Sequence, residues 1–444
     1  MRPLFRGELY MIPFNPEAEA LNNILQEHSP AIYNLLSEKG KRIFFPKKGL
    51  VRQGQDAKGK DINATIGMAI EDDSTPMRLQ SIAQCMDLAP EEAFPYAPSF
   101  GIPELRQRWQ QLIRDKNPSM NGAISLPVVT CGLTHGLSVV GFLFLDPGDR
   151  LILPSMYWGN YRLVFEHAYD VQPTLFNTFK NGRFDTESLR STLLEKKGKK
   201  VLLLNFPHNP TGYTPTVQEA ETITDIVHES VKAGESIVVV HDDAYFGLVY
   251  EDGIYRESLF SKLAHLHENV LAIKIDGATK EDYAWGFRVG FVTYASKGID
   301  ESVCQALESK TAGRIRGNIS NAPRISQSYI LKAICSPGYN DEKRKKYELL
   351  KSRFDRVKKV LKENEQRYGA YFKPLPFNSG YFMCLGLAEG LDAEAIRQTL
   401  LNRYSTGIIA LEGVLRIAFS SAAEKDIPHL FENIYNVCRE MKPS

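Results

Sequence analysis

This sequence lacks a long apolar segment. Its longest useful apolar run, Val139–Leu145, has seven residues, whereas a membrane-spanning helix needs about 20. The first residues, MRPLFRGELYMIPFNPEAEA, have no apolar core and carry acids early, so they resemble neither a secretory signal nor an acid-poor transit peptide. We therefore expect a cytoplasmic protein that does not enter a membrane.

Cysteine is scarce, and neither sign of charge is in excess. The six cysteines form no CxxC pair, which excludes a disulfide scaffold, supplies no zinc framework and fits reduced thiols. The 54 Lys and Arg residues against 53 Asp and Glu give a net charge of +1. This balance argues against a protein built to coat nucleic acid or an anionic membrane.

Short β-rich runs alternate with helical stretches between about residues 75 and 325. The runs are Leu126–Cys131, Arg150–Leu153, Lys200–Leu204, Ser236–His241 and Val270–Asp276, and the helical stretches are Thr134–Phe144, Asn160–Tyr169, Pro215–Ala233 and about 298–312. The alternation predicts an α/β fold with a mainly parallel sheet that is buried on both faces.

The chain divides into three predicted parts. Residues 1–70 are expected to form an amino-terminal arm and part of a small domain, with a possible helix over Pro16–Glu27. Residues 71–325 would form the large domain, and residues 326–444 a small α+β domain. For this last part we expect one long helix over about 324–367, then strands near Gly380–Leu387 and Val414–Phe419.

Polar residues of different chemistry follow four of the predicted strands. They lie in Gly132–Gly136, Asn205–Gly212, His241–Tyr245 and Gly277–Lys280, and Arg288 comes eight residues later. Ligands of open α/β sheets bind beyond the carboxyl ends of the strands. At that edge of the sheet, the segments would bring together a threonine between glycines, an amide, a carboxylate with a phenol, and two cations. These groups belong to Thr134, Asn209, Asp242 with Tyr245, and Lys280 with Arg288.

Each of these residues has a structural interpretation beside the functional one. Thr134 begins a helix whose free N–H groups suit an anion, with Arg288 as a clamp, but a plain helix cap explains the turn as well. Asp242 ends an apolar strand and needs a cationic partner, which a protonated ring nitrogen or a structural salt bridge would supply. Tyr245 suits a ligand contact or the core, and Asn209 a ligand contact or a turn.

Two lysines compete for the role of a covalent catalyst. Lys280 would lose its proton in a desolvated site and form a Schiff base, unless it is an exposed loop lysine. Lys274 lies within the apolar strand Val270–Asp276, and we expect its side chain to reach the margin of the sheet. We therefore rank Lys280 well above Lys274.

Together, these segments resemble the fold type I, class I and II aminotransferases, which use pyridoxal 5'-phosphate (PLP). His208–Gly212 is similar to the family's HNPTG segment and Asp242–Tyr245 to its D-x-A-Y segment, while Lys280 and Arg288 match its Schiff-base lysine and phosphate-binding arginine at the family's spacing. The likeness extends from about residue 62 to residue 419. It implies a large PLP domain with a mainly parallel seven-stranded sheet, a smaller α+β domain, and a homodimer with sites at its interface.

The resemblance also implies a role for each matching residue. Lys280 would be the Schiff-base lysine and proton shuttle, and Asp242 the partner of the pyridinium nitrogen. Tyr245 would share the ring's phenolic oxygen with Asn209. The other implied contacts are to the phosphate (Leu133, Thr134, His135, Arg288 and, from the second subunit, Tyr96), to the ring face (Tyr157) and to the substrate (Gly67, Asn209, Arg316 and Arg416).

Two further segments are similar to aspartate and aromatic aminotransferases. Ile62–Gly67 is similar to their INLGIG strand, and Ile315–Pro323 to their I-R-x-x-x-S-N-P-P segment. The second likeness implies that Arg316 reaches over from the partner subunit to the side-chain carboxylate of aspartate or glutamate. A surface arginine is the other interpretation of Arg316.

Three positions depart from these enzymes. Gly277 stands where many members have a serine that binds the phosphate. We expect either that Thr279 or a water molecule takes that role, or that the phosphate is held less tightly. Tyr157 replaces a tryptophan, and Ala322 replaces the first of two prolines. The departures weigh against strict specificity for aspartate.

The function implied by the resemblance is amino-group transfer from aspartate, tyrosine or phenylalanine to a 2-oxo acid such as 2-oxoglutarate, by ping-pong chemistry. A PLP-dependent lyase or decarboxylase is the first alternative, and a non-catalytic effector-binding regulator the second. No GxGxxG opens a helix after a strand, which sets a nucleotide-binding dehydrogenase aside. The expected partners are these small molecules and a second copy of the chain, without nucleic acid, membrane or metal.

Overall fold

A seven-stranded sheet forms the centre of the molecule in the computed structural model, which describes residues 14–46, 49–84, 87–195 and 198–442. Its strands, β1 to β7 in chain order, are Val128–Cys131, Arg150–Pro154, Thr174–Phe176, Lys199–Asn205, Ser236–Asp242, Val270–Asp276 and Val289–Ala295. The order across the sheet is β1-β7-β6-β5-β4-β2-β3. Strand β7 runs antiparallel to both neighbours, and the other pairs are parallel. The predicted α/β fold with a mainly parallel sheet is confirmed.

The described chain also forms 19 α-helices, some against this sheet and others in its amino- and carboxy-terminal parts. They are Pro16–His28, Pro30–Leu35, Glu38–Arg42, Leu50–Asp56, Gln80–Ala83, Pro90–Ala93, Pro103–Lys116, Leu133–Phe144, His167–Tyr169, Thr186–Leu194, Val217–Lys232, Leu259–Leu263, Ala278–Glu281, Glu301–Arg316, Arg324–Ile334, Tyr339–Glu363, Glu365–Tyr368, Ala393–Arg403 and Ile427–Met441. Every residue of β7 is buried, and so are all but one of β5 and of β6. Side chains on both faces of the sheet centre are therefore covered, as its apolar strands require. In the described ranges, no helix is both long and apolar enough to cross a membrane.

A second, four-stranded antiparallel sheet lies in the carboxy-terminal part. Its strands are Phe372–Pro374, Phe382–Leu387, Val414–Ala418 and Ile409–Leu411, in their order across the sheet. Ile62–Asn63 pairs in parallel with Thr406–Gly407, so an early segment of the chain packs on the late one.

Several predicted elements differ from the observed ones. The single helix expected over 324–367 is wrong, because three helices occupy that range and the first ends before a Cys-Ser-Pro-Gly turn at 335–338. Proline lacks the backbone N–H that would continue a helix. The helix expected over Asn160–Tyr169 is a π-helical turn, Arg162–Glu166, followed by one short α-turn. Strands β3 and β7 were not predicted.

Candidate active site

A cavity of about 670 Å³ lies beyond the carboxyl ends of β4, β5 and β6. Three regions of the chain build its wall: the loops after the large sheet, the four-stranded sheet, and the amino-terminal segment from residue 50 to residue 67. The predicted site residues that it brings together are Gly67, Leu133, Thr134, Asn209, Asp242, Tyr245, Lys280 and Arg416.

Asp242, the last residue of β5, is a buried acceptor in this wall. The Tyr161 hydroxyl donates a hydrogen bond to its Oδ2 at 2.6 Å, and the Ala244 N–H donates one to its Oδ1 at 3.2 Å. Burial raises the pKa of the Asp242 carboxyl, while the Tyr161 hydrogen bond and the nearby Lys280 amine oppose the rise. A cationic ring nitrogen placed against Asp242 would stabilise its charged form.

Lys280 follows β6 and lines the cavity with its side chain half-buried. Its Nζ lies 5.1 Å from the centre of the Tyr245 ring, and no ion pair within the described ranges includes it. Burial lowers the pKa of the Lys280 amine to about 8; the Asp242 carboxylate opposes this effect and the Arg288 cation adds to it. The amine is therefore much closer to its neutral, nucleophilic form at physiological pH than an ordinary lysine is.

Arg416 is a buried cation that pairs with no carboxylate of the described residues. Its Nη1 donates to Asn209 Oδ1 at 3.2 Å and its Nη2 to the Thr65 carbonyl at 3.1 Å, while its Nε is buried and has no hydrogen-bond partner in the described structure. A buried guanidinium needs an anion. Because Arg416 lines the cavity, a carboxylate bound there would supply the missing charge.

A cradle for a second anion forms where the Leu133–Phe144 helix begins. Gly132 precedes it with φ of 77°, and a Cβ at this position would lie 2.4 Å from Nη2 of Arg288. The glycine thus lets a guanidinium approach the free N–H groups of the helix start, beside the Thr134 hydroxyl. Such a set of donors fits a phosphate group.

Packing explains the glycine at position 277. A Cβ there would lie 2.5 Å from the Val289 carbonyl oxygen and 2.8 Å from the Gly290 Cα, so a serine does not fit this backbone. The nearby Thr279 Oγ1 is buried and has no hydrogen-bond partner in the described part of the chain. A free Thr279 hydroxyl is compatible with one of the expected alternatives, in which the threonine replaces the serine donor.

Five predicted contacts lie outside the cavity wall: Arg288 beside the helix start, Tyr157, His135, Tyr96 and Arg316. His135 Nδ1 accepts a hydrogen bond from the Cys131 N–H at 3.0 Å. Tyr96 is 87% exposed, and Arg316, also exposed, donates to Ser320 Oγ at 2.8 Å. Tyr96 and Arg316 were expected to act on a partner subunit, which a single chain does not test.

The structure brings Trp158 to the wall, whereas the prediction named its neighbour Tyr157. Tyr157 stacks beside Tyr161 at 6.4 Å between ring centres, outside the wall, while Trp158 and Tyr161 both line it. The sequence signal was present as an aromatic pair three residues apart, Trp158 and Tyr161, just before the π-helical turn.

Sequence reasoning also missed the contribution of the amino-terminal segment, which was interpreted as an arm. Its members in the wall are Leu50, Val51, Gly54, Gln55, Lys58 and Gly59. The sequence pattern that could have indicated this contribution is a repeat of four residues, over positions 50, 54 and 58 and positions 51, 55 and 59. Residues at this spacing lie on one face of a helix.

The expectation for Lys274 is wrong. Its side chain is fully buried in β6, forms an ion pair with Asp243 and lies 3.4 Å from Asp276 Oδ2. Burial alone would lower the pKa of the amine, but the two carboxylates outweigh it and raise the pKa. Lys274 is a structural cation of the sheet centre.

Comparison with known proteins gives one consistent family. The sequence model of the family "Aminotransferase class I and II" matches residues 70–434. A probable N-acetyl-LL-diaminopimelate aminotransferase of Bacillus subtilis is 27% identical over 292 residues, which are 66% of each chain. An aspartate aminotransferase of Pyrococcus horikoshii is 24% identical over 396 residues, 86% of this chain and 93% of that one. A crystal structure of an aminotransferase from Anaerococcus prevotii superimposes with a TM-score of 0.80 at 22% identity, covering 92% of this chain and 100% of that one.

Proposed function

Because the chain belongs to the class I and II aminotransferases, a PLP-dependent family, we propose that it moves the amino group of aspartate or an aromatic amino acid to a 2-oxo acid such as 2-oxoglutarate. The observation that carries this proposal is the meeting of Lys280, Asp242 and Arg416 at one cavity. The names of the relatives support the general reaction, and one of them is an aspartate aminotransferase.

PLP, when bound, supplies an electron sink for negative charge at the substrate Cα. We assign Asp242 to the ring nitrogen, where its carboxylate would keep a proton on that atom. Tyr161 is a positioning residue in this scheme, because its 2.6 Å hydrogen bond fixes the Asp242 carboxylate and stabilises the charged form. Tyr245 and Asn209 would hold the phenolic oxygen, and Trp158 would cover the ring.

Lys280 would carry the proton of the reaction. Its amine, with a pKa of about 8, would accept the proton from the substrate Cα and deliver it to the cofactor side. Arg416 would bind the α-carboxylate with two N–H groups, which sets the direction of the Cα–H bond relative to Lys280 Nζ.

The phosphate would occupy the cradle at the start of the Leu133–Phe144 helix. The donors assigned to it are the N–H groups near Leu133 and His135, the hydroxyls of Thr134 and Thr279, and the guanidinium of Arg288. Removing any one donor is expected to weaken cofactor binding more than it slows a step at Cα.

We also propose the division into residues 1–70, 71–325 and 326–444, with the first and last parts forming one small domain in the cytoplasmic protein. The pairing of Ile62–Asn63 with Thr406–Gly407 supports this grouping. A homodimer is proposed because the family resemblance implies one, and the exposed aromatic side chains of Phe94 and Tyr96, at 86% and 87%, are compatible with coverage by a second copy.

The visible absorption spectrum of the PLP-loaded protein tests the proposed reaction. A near-visible band that collapses on addition of L-aspartate or L-tyrosine, and returns with 2-oxoglutarate, is the expected result. A band that responds to no amino acid would contradict amino-group transfer, and absence of any band after incubation with PLP would contradict the cofactor site.

A further inference from the structure

One cation in the cavity wall has no part in the chemistry described so far. The charged side chains of the wall are Lys58, Asp242, Lys280 and Arg416, and the last three are assigned to the cofactor and the α-carboxylate. We propose that Lys58 binds the distal carboxylate of a dicarboxylic substrate within the same subunit. The inference rests on the proposed aminotransferase function and names its substrate class as acidic amino acids and their 2-oxo acids.

The helix before Lys58 is fastened close to Arg416. The side chain of Gln53 accepts a hydrogen bond from the Ala410 N–H at 2.7 Å and donates one to the Ala410 carbonyl at 3.0 Å. Ala410 belongs to the strand Ile409–Leu411, which pairs directly with the strand of Arg416. The Leu50–Asp56 helix is thus held to the same sheet that carries the proposed α-carboxylate site.

Packing decides which face of this segment meets the cavity. Ala57 is fully buried, and a Cβ on Gly407 would lie 2.4 Å from the Cβ of Ala57. The Ala57 carbonyl also accepts a hydrogen bond from Asn63 Nδ2 at 3.1 Å. The face that contains Gln53 and Ala57 is therefore fixed against the small sheet, which leaves the other face, ending at Lys58, for the cavity wall.

Lys58 also differs from the other charges of its segment. Arg52 pairs with Asp56 at 2.9 Å, and Asp56 lies 3.4 Å from Arg397. Lys58 is exposed and belongs to no ion pair or side-chain hydrogen bond in the described structure. Its amine is thus free to bind an anion that enters the cavity.

Two cations in one wall select ligands that carry two carboxylates. Arg416 would take the carboxylate next to Cα, and the long, flexible stem of Lys58 would bring its ammonium to a carboxylate one or two carbons farther away. An ion pair made by an exposed lysine is worth up to about a fivefold change in binding. Tyrosine, which has no distal carboxylate, would not make this contact.

Lys58→Met tests the inference, with Lys60→Met as the matched control because Lys60 lies nearby but outside the cavity wall. We expect Lys58→Met to raise KM for aspartate and 2-oxoglutarate about fivefold, while kcat, and KM for tyrosine, stay within about twofold. Lys60→Met should match the unmodified protein, and Lys58→Arg should restore most of the affinity.

The inference would be overturned if Lys58→Met changed KM equally for aspartate and tyrosine, or changed neither. It would also be overturned if the unmodified protein transaminated tyrosine but no dicarboxylic acid. An Arg316→Ala variant that alone carries the loss would also overturn it in favour of the partner-subunit arginine. Binding of succinate and propionate to the PLP-loaded protein separates failure of Lys58 from failure of the proposed function. If Lys58→Met weakens succinate alone, Lys58 is an acid-binding residue even if no transfer occurs; unchanged succinate binding counts against it.

Discussion

Lys274 and Lys280 are close neighbours in the chain but have opposite electrostatic surroundings. Lys274 is fully buried in β6 and pairs with the Asp243 carboxylate. Lys280, just beyond β6, lines the cavity without an ion pair in the described ranges. The pKa of the first amine is raised and that of the second is lowered to about 8. Carboxylates within reach, rather than burial alone, decide which of the two amines stays charged and which is close to neutral.

The same contrast holds for the residues that follow the proposed catalytic ones. Asp242 lines the cavity, whereas Asp243 pairs with Lys274 outside it. Lys280 lines the cavity, whereas Glu281 pairs with Lys116 at 2.5 Å and with Lys343 at 3.1 Å. Asp243 and Glu281, whose charges are paired, thus stabilise the ends of the strands. Asp242 and Lys280, which form no such ion pair in the described ranges, face the cavity, where a ligand could bind them.

Removing the proposed reactive lysine, Lys280, should have the largest effect. Lys280→Ala is expected to lower the rate of amino-group transfer by more than about 10³-fold, because the proton carrier and the nucleophile are lost together. Single-turnover absorbance changes with aspartate measure the loss, with Lys60→Ala as the control. Turnover near that of the unmodified protein would refute the role of Lys280.

Removing the structural lysine should affect stability instead. Lys274→Met leaves Asp243 and Asp276 buried without their cation, and breaking a buried pair in this way costs about 3–5 kcal/mol of the free energy of unfolding. Urea unfolding measures the change, and the activity of the folded fraction should stay within a few fold.

A second substitution sharpens this prediction. Asp243→Asn added to Lys274→Met should recover part of the lost stability, because one unpaired charge is removed. Loss of transfer activity in a folded Lys274→Met protein would break the distinction between the two lysines.

The two amines should also respond differently to pH. In the cofactor-free protein, Lys280 has a pKa of about 8 when folded, against 10.5 for an ordinary lysine. Between these values the unfolded chain binds more protons than the folded one, so the contribution of Lys280 to the free energy of unfolding rises with pH. Urea midpoints between pH 8 and pH 10 should increase less steeply in Lys280→Met than in the unmodified protein; identical slopes would contradict the lowered pKa.

The smallest predicted effect concerns the hydroxyl that faces Asp242. Tyr161→Phe removes the 2.6 Å donor, so the pKa of the Asp242 carboxyl should rise and kcat should fall by roughly tenfold. Tyr157→Phe is the matched control, because Tyr157 stacks on Tyr161 without lining the cavity. The absorbance of the PLP-loaded protein, titrated with acid, should shift in Tyr161→Phe alone; a shift of the same size in both variants would remove Tyr161 from its positioning role.

Sequence patterns were sufficient where a contact is local to one strand and its following turn. The apolar strands β5 and β6 place Asp242 and Lys280 at one edge of the sheet. Both residues lie in short segments that directly follow or end a strand, so their place could be predicted. Contacts between distant segments were not predictable in this way. The pairing of Lys274 depends on Asp243, which directly follows the adjacent strand β5. The cavity face of the Leu50–Asp56 helix depends on how Gln53 binds Ala410.

The most direct test of the account is to find which lysine holds the cofactor. The PLP-loaded protein is reduced with borohydride, digested and mapped by peptide mass spectrometry. We expect a single cofactor label on Lys280, with Lys274 and Lys58 unmodified. A label on Lys274 or on any other lysine, or no label after reduction, would contradict the assignment of Lys280 as the reactive residue.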